Sequence, residues 1–177
     1  MKNVLILSSS PRKGGNSDLL CNEFYRGAAE AGNNTEIIRL NEKKIGFCQG
    51  CYACEKLGKC FQNDDMNELA EKMLKADVIV FATPVYFYSM SGQLKTFIDR
   101  LVPIYTKIRA DIYIIATAWD DNTNMLESTV EAVRGCTMDC FEECRERGVI
   151  IAGGVNEKGA IIGRKEMTEA YNMGFHC

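Results

Sequence analysis

The sequence predicts an α/β fold in which a doubly wound parallel sheet of five strands carries helices on both faces. Two observations lead to this prediction. Short, continuous apolar runs recur along the chain, which is typical of strands buried on both faces. Each run is followed by a segment with apolar residues at helical spacing, and this alternation is typical of a doubly wound sheet. At 177 residues the chain is long enough for one such domain, and we find no internal repeat and no sign of a second domain.

The expected strands and helices alternate along the whole chain. The strands are predicted at Val4–Leu7, Thr35–Leu40, Val78–Ala82, Ile112–Ala116 and Gly148–Ala152. The helices are predicted at Asn16–Ala31, at Met66–Leu74, at Met90–Leu101, along a stripe from Leu126 through Val133 and Cys136 to Cys144, and at Glu166–Met173. We expect Asn16 to cap the first helix, and Asp65 to cap the second with Glu68 in the capping-box position.

Composition and charge exclude several classes of function. The net charge is −3 and no basic stripe is present, so a nucleic-acid partner is not expected, because its phosphates would remain unneutralised. No apolar run approaches a membrane span, and the start of the chain lacks the layout of a signal peptide, so we expect a cytoplasmic protein that does not bind a membrane. In that reducing compartment the nine cysteines are expected to be buried apolar residues, redox groups or metal ligands rather than disulfides.

The segment Ser8–Ser17, between the first strand and the first helix, has the composition of a phosphate-binding loop. It combines four serines, the pair Gly14 and Gly15, and the cations Arg12 and Lys13. The N–H groups and the dipole at a helix N-terminus favour an anion, and glycines let the backbone approach it closely. Neither a dinucleotide fingerprint nor a Walker motif is present. The alternative interpretation is an ordinary polar turn in front of a capped helix.

A second unusual loop, Pro84–Ser91, follows the third predicted strand and contains three consecutive aromatic residues at 86–88. Ligands of doubly wound sheets bind outside the carboxyl ends of the strands, where this loop and the phosphate loop should meet. Its aromatic rings are suited to wall a flat ring system, and Trp119, after the fourth strand, could flank the same ring. Alternatively, these rings pack under a neighbouring loop or subunit. A phosphate loop beside a flat-ring site describes a mononucleotide.

The run Ser10–Ser17, followed by Pro84–Phe87, resembles the flavodoxin-like NAD(P)H-dependent FMN reductases. The resemblance extends to Asp64–Met66 and to Gly92–Arg100. It implies a flavodoxin-like sheet of order 2-1-3-4-5 with FMN at the edge of strands one and three, and an assembly of two or four identical chains. One departure is Ser9, where the family often has glycine. The resemblance assigns the FMN phosphate to Ser10, Arg12, Asn16 and Ser17, and the isoalloxazine to Pro84, Val85, Tyr86 and Phe87.

The family resemblance also implies an activity. Members oxidise NAD(P)H as co-substrate and pass the electrons to a small acceptor such as a quinone or a flavin. No catalytic acid or base is expected in the protein, because the flavin carries the chemistry and the protein tunes it. His176 is the only histidine and lies near the end of the chain, so a histidine-based triad or metal site is not expected.

The irregular stretch 41–63 carries a compact cysteine motif, Cys48-x2-Cys51-x2-Cys54-x5-Cys60. Such short spacing lets consecutive thiolates wrap one cluster, whereas zinc sites usually present two separated C-x2-C pairs. The motif resembles that of the iron–sulfur flavoproteins, a branch of the same family with a [4Fe–4S] cluster next to FMN. That resemblance implies an electron carrier with a ferredoxin-like partner. Free thiols, and a structural zinc clip in a non-catalytic binding module, remain open alternatives.

Overall fold

The computed structural model describes residues 1–177. The strands are β1 (Asn3–Ser8), β2 (Asn34–Arg39), β3 (Val78–Tyr86), β4 (Ser89–Met90), β5 (Asp111–Thr117) and β6 (Arg145–Ala152). The helices are α1 (Asn16–Glu30), α2 (Ala53–Leu57), α3 (Met66–Lys75), α4 (Gly92–Asp99), α5 (Thr123–Thr137) and α6 (Lys165–Phe175). None of these helices combines the length and the apolarity that crossing a membrane requires.

Five strands pair in parallel in the order β2-β1-β3-β5-β6, and β4 pairs antiparallel with β3. The prediction of an α/β fold with a parallel sheet is confirmed. The parallel sheet has the predicted five strands, but the structure adds a sixth, because β3 continues past Thr83 and Pro84 to Tyr86 and folds back as β4. The order is therefore 2-1-3-5-6 rather than 2-1-3-4-5. The strand order reverses between β1 and β3, which makes their carboxyl ends the switch point of the sheet.

Alternate side chains of each strand enter two separate cores. Leu5 and Leu7 of β1 pack with α3, α4 and α5 on one face, while Val4 and Ile6 pack with α1 and α6 on the other. Because a strand repeats every two residues, continuous apolar runs fill both cores at once. The strands are therefore fixed by packing on both faces of the sheet. The loops at their carboxyl ends are not part of either core, so they can form a binding site.

Helices α1 and α6 lie in close contact, since glycines replace side chains where they cross. A Cβ atom on Gly27 would lie 2.1 Å from the carbonyl oxygen of Tyr171, and one on Gly174 would lie 2.0 Å from that of Phe24. No larger residue fits there without moving a backbone. This packing fixes the position of α1, whose N-terminus forms part of the candidate site.

Several element boundaries differ from the prediction. Gly15, not Asn16, is the capping residue of α1, and the Asp65 carboxylate accepts a hydrogen bond from the Lys44 amide (2.7 Å) rather than from α3. Helix α5 ends at Thr137, where the next two amides both turn back to the Arg134 carbonyl oxygen. The thiols at 140 and 144 therefore lie beyond the helix instead of extending its stripe. Strand β6 begins three residues before the predicted start, and the apolar pattern does not extend to these residues because they are charged. The short helix α2 is not predicted by the sequence pattern.

We predict that two thiols, the buried Cys21 and the partly buried Cys136, make the fold sensitive to alkali. Burial and the negative charge of Asp18 raise the pKa of Cys21 from 9.0 to about 12. Burial and the charge of Cys140 raise the pKa of Cys136 from 9.0 to about 12 as well. The folded state thus keeps protons that the unfolded state releases, so stability is complete below pH 9 and falls as the pH rises toward 12.

The free energy of unfolding, measured by urea at about pH 8 and about pH 10.5, tests this prediction. The wild type should lose more stability over that interval than a Cys21→Ala/Cys136→Ala variant, in which only the other alkaline groups titrate. An equal loss in both proteins would contradict it.

Candidate functional site

A cleft opens at the carboxyl edge of the sheet, between the loops that follow β1, β3, β5 and β6. Eight of the nine residues predicted to bind FMN line it together, and only Phe87 does not. Gly15 and residues 117–118 and 155–156 complete the lining. The roles of these residues toward a ligand remain predictions. The eight are Ser10, Arg12, Asn16, Ser17, Pro84, Val85, Tyr86 and Trp119.

The phosphate loop is tied to the neighbouring strand by Ser9. Both its amide and its hydroxyl donate to the carbonyl oxygen of Ala82 in β3 (2.9 and 2.8 Å), and its hydroxyl accepts from Ser91 (2.9 Å). Ser91 in turn caps α4 through the amide of Leu94. Ser9 is therefore a buried link between the two loops of the cleft.

Asp18 stabilises the conformation of the phosphate loop. Its buried carboxylate accepts hydrogen bonds from the Ser8 hydroxyl (2.7 Å) and the Gly14 amide (2.6 Å), and it forms an ion pair with Arg39 at the end of β2. Gly14 adopts the left-handed conformation (φ +68°) that this bond requires. Because Arg39 compensates the charge of Asp18, the carboxylate does not oppose an anion in the cleft. Our sequence interpretation missed this pair, although an acidic residue in the first turn of a helix was visible.

The N-terminus of α1 presents free donors to the cleft. The amides of residues 16–18 have no hydrogen-bond partner, as is usual for the first turn of a helix. The Ser17 hydroxyl makes no hydrogen bond either, although this side chain is 1% exposed and lines the cleft. The Arg12 guanidinium donates to the carbonyl oxygen of Asn156 (3.1 Å), which holds the cation at the same rim. This arrangement of donors and positive charge suits an anion.

Asn16 has a different function from the cap that was predicted. Its side-chain amide donates to the carbonyl oxygens of Val155 (3.1 Å) and Glu157 (2.9 Å) and accepts from the amides of Gly159 (3.1 Å) and Ile161 (3.3 Å). All four hydrogen-bonding positions of the side chain are thus in use. Asn16 anchors the segment between β6 and α6, and only its main-chain amide is free for the predicted phosphate contact.

The aromatic loop is a tight hairpin between β3 and β4. Its two central residues, Phe87 (φ +51°) and Tyr88 (φ +58°), both occupy the left-handed region, which gives a two-residue turn that normally contains Asn or Gly. Tyr88 is held by Asp120, to which its hydroxyl donates (3.0 Å), and this hydrogen bond raises the pKa of Tyr88. Phe87 is fully exposed at the tip and does not line the cleft, so its predicted contact with the ring stays a prediction.

We predict that Phe87→Gly stabilises the protein by about 1 kcal/mol, since glycine relieves the left-handed strain and no buried surface is lost. Urea unfolding measures this change. Phe87→Ala is the matched control, because alanine removes the same ring and keeps the strain. A gain in the alanine variant equal to that in the glycine variant would show that the exposed ring, not the backbone, is the cause.

The four motif cysteines, at 48, 51, 54 and 60, line a single cavity of about 120 Å³ between the segment after β2 and the end of α4. Left-handed residues Gly50, Tyr52 and Gly58 curve the backbone around it. All four thiols are free, and no three of them stand in an arrangement that would ligate a metal ion. The donor set nevertheless fits an iron–sulfur cluster, because four soft thiols of one segment share a cavity with a largely apolar lining.

These features define a class of protein. It is a doubly wound α/β protein with a cleft at the switch point of its sheet, where a helix N-terminus lies beside aromatic side chains. Such a cleft suits a mononucleotide. The comparison with known proteins makes the assignment specific. The chain belongs to the NADPH-dependent FMN reductase family, whose model matches residues 2–120.

Individual relatives carry a more specific description. An iron–sulfur flavoprotein of Methanocaldococcus jannaschii is 44% identical over 101 residues, which are 57% of this chain and 52% of that protein. One of Archaeoglobus fulgidus is 40% identical over 103 residues, 58% of this chain and 46% of that protein. The chain thus spans about half the length of the curated relatives it matches. An NAD(P)H:quinone oxidoreductase from Methanothermobacter marburgensis shares the fold, with a TM-score of 0.76, 19% identity and coverage of 99% of this chain and 95% of that chain.

Proposed function

We propose that the protein is an FMN-dependent oxidoreductase that takes electrons from NAD(P)H and passes them to a small acceptor such as a quinone or a flavin. The observation that carries this proposal is the cleft at the N-terminus of α1, where eight residues expected around FMN meet. Membership of the FMN reductase family supports it. We treat residues 1–177 as one FMN-binding domain.

Each wall of the cleft has a role in this proposal. Arg12, Ser10 and Ser17, together with the free amides of α1, would bind the phosphate, and Asp18 keeps the loop in shape for it. The segment Pro84–Tyr86 and Trp119 would wall the ring. FMN, when bound, supplies the hydride and electron transfer that no side chain of the cleft provides. The exposed hairpin tip beside the cleft would set the access of the acceptor.

The second candidate is an iron–sulfur flavoprotein that carries electrons between FMN and a ferredoxin-like partner. The shared cavity of the four motif cysteines favours it, and so do the matched relatives that bear this name. Cys48, Cys51, Cys54 and Cys60 would hold a [4Fe–4S] cluster, which supplies one-electron exchange. The cysteine segment follows β2, so it lies at the same edge of the sheet as the cleft.

An assembly of two or four copies and a cytoplasmic location complete the proposal. Phe87, Tyr88 and Trp119 leave a large aromatic surface exposed beside the cleft, which favours coverage by another chain. The nine free thiols suit a reducing compartment.

Turnover measurements separate the two candidates. The FMN-loaded protein is mixed anaerobically with NADH or NADPH and a soluble quinone, and in parallel with a reduced ferredoxin. Quinone-dependent oxidation of either nicotinamide supports the oxidoreductase. Electron exchange with ferredoxin and no nicotinamide turnover supports the carrier, and inactivity in both assays would contradict both candidates.

A further inference from the structure

Arg100 is the most deeply buried cation at the carboxyl edge of the sheet. It follows α4 directly, is 2% exposed, and lines the cysteine cavity. Its Nη1 atom donates to the carbonyl oxygen of Gly46 (2.7 Å), and Nη1 and Nη2 donate to the two carboxylate oxygens of Asp64 (2.8 and 3.0 Å). Gly46 precedes the first motif cysteine and Asp64 follows the last one. One guanidinium therefore fastens both ends of the cysteine segment.

The third donor of Arg100, the Nε–H group, is buried and has no hydrogen-bond partner. An orphaned buried donor is unusual, and its desolvation is costly unless an acceptor is supplied. Two of the three donor atoms are already committed to the ends of the segment. The cavity that Arg100 lines offers the sulfurs of the four motif cysteines as acceptors, together with side-chain oxygens of Gln49, Gln62 and Asp99, of which Asp99 already pairs with Lys95.

The electrostatics of the side chain agree with this geometry. Burial alone would lower the pKa of Arg100, but the hydrogen bonds and charge of Asp64 raise it above its ordinary value, and the neighbouring Cys60 adds to this effect.

We propose that Arg100 is a positioning residue of the cysteine site, which closes the segment 46–64 through its Nη atoms and donates its Nε–H to a sulfur of that site. This inference rests on the proposed iron–sulfur site. Hydrogen bonds to cluster sulfurs raise the reduction potential, and partners that orient metal ligands contribute strongly to metal affinity. Arg100 is therefore expected both to tighten iron binding and to make the site easier to reduce.

The first test is Arg100→Lys, which keeps a positive charge for Asp64 and removes the Nε–H donor. The matched control is Arg109→Lys, the same change at an exposed arginine paired with Glu143. After anaerobic iron and sulfide loading, we expect Arg100→Lys to keep FMN, to bind iron at least about tenfold more weakly, and to show a more negative potential for the remaining iron–sulfur absorption. The control should match the wild type. An unchanged potential at full iron content would overturn the proposal.

A second test uses the wild type alone, so it does not depend on the folding of a variant. The chain is labelled with ¹⁵N-guanidinium arginine, loaded with iron and sulfide, reduced, and measured by pulsed electron paramagnetic resonance. We expect a ¹⁵N coupling, because Arg100 is the one arginine that lines the cavity. An iron–sulfur signal without this coupling refutes the role of Arg100 and leaves the cluster standing. Failure of the wild type to bind iron refutes the cluster and this inference together.

Discussion

The Ser17→Asp variant is expected to fold normally and to lose more than about 100-fold in FMN affinity. Ser17 lies in the first turn of α1, is almost fully buried, and lines the cleft without a hydrogen-bond partner of its own. A carboxylate there interacts favourably with the helix dipole, so the helix is not weakened. In the proposed site the same carboxylate would face the phosphate of FMN, and juxtaposed like charges cost several kcal/mol.

Equilibrium titration of the apoprotein with FMN, followed by quenching of flavin fluorescence, measures this effect. Ser17→Ala is the matched control: it removes one hydroxyl donor, and we expect a loss of only about fivefold, corresponding to one hydrogen bond of about 1 kcal/mol. Unchanged thermal stability shows that the aspartate variant is folded. FMN binding by Ser17→Asp at wild-type affinity would mean that the phosphate does not lie at the N-terminus of α1.

The Cys51→Ala variant is expected to lose nearly all bound iron and to keep its FMN. Cys51 is one of the four thiols around the cysteine cavity, and a [4Fe–4S] cluster normally requires four protein ligands. The cleft proposed for FMN shares no residue with that cavity, so the flavin should be unaffected. Iron, acid-labile sulfide and FMN per chain are measured after anaerobic purification.

Cys140→Ala is the matched control for this loss, since Cys140 is an exposed thiol outside the cysteine cavity. It should leave the iron content at the wild-type level. Iron that is undiminished in Cys51→Ala would exclude the motif as the ligand set. Zinc in place of iron and sulfide in the wild type would favour the structural clip, and absence of all three would favour free thiols.

The central strands were predictable because they are buried on both faces. Runs such as Val78–Ala82 have no polar residue to interrupt them, so local composition reports tertiary burial directly. The hairpin that follows was missed, since Phe87 and Tyr88 occupy left-handed positions where Asn or Gly would have signalled a turn. The first residues of β6 were missed for a related reason: Arg145 and Glu146 are charged, and an apolar pattern does not detect the polar end of an edge strand.

The meeting of the phosphate loop and the aromatic loop was predictable from topology, because the carboxyl ends of parallel strands share one edge. The side chains that support the cleft were not. Asp18 pairs with Arg39, and Asp64 with Arg100, across separations that no local pattern records. The residue type of Asn16 predicts a helix cap, whereas its side-chain amide forms hydrogen bonds with four partners in a segment more than a hundred residues away.

The visible absorption spectrum of the protein, purified without oxygen and then mixed with FMN, tests the central claim most directly. We predict flavin bands and close to one FMN per chain, with the bands retained after gel filtration. A protein that lacks flavin bands and returns all added FMN to the low-molecular-mass fraction would contradict the account, whatever its cysteine cavity binds.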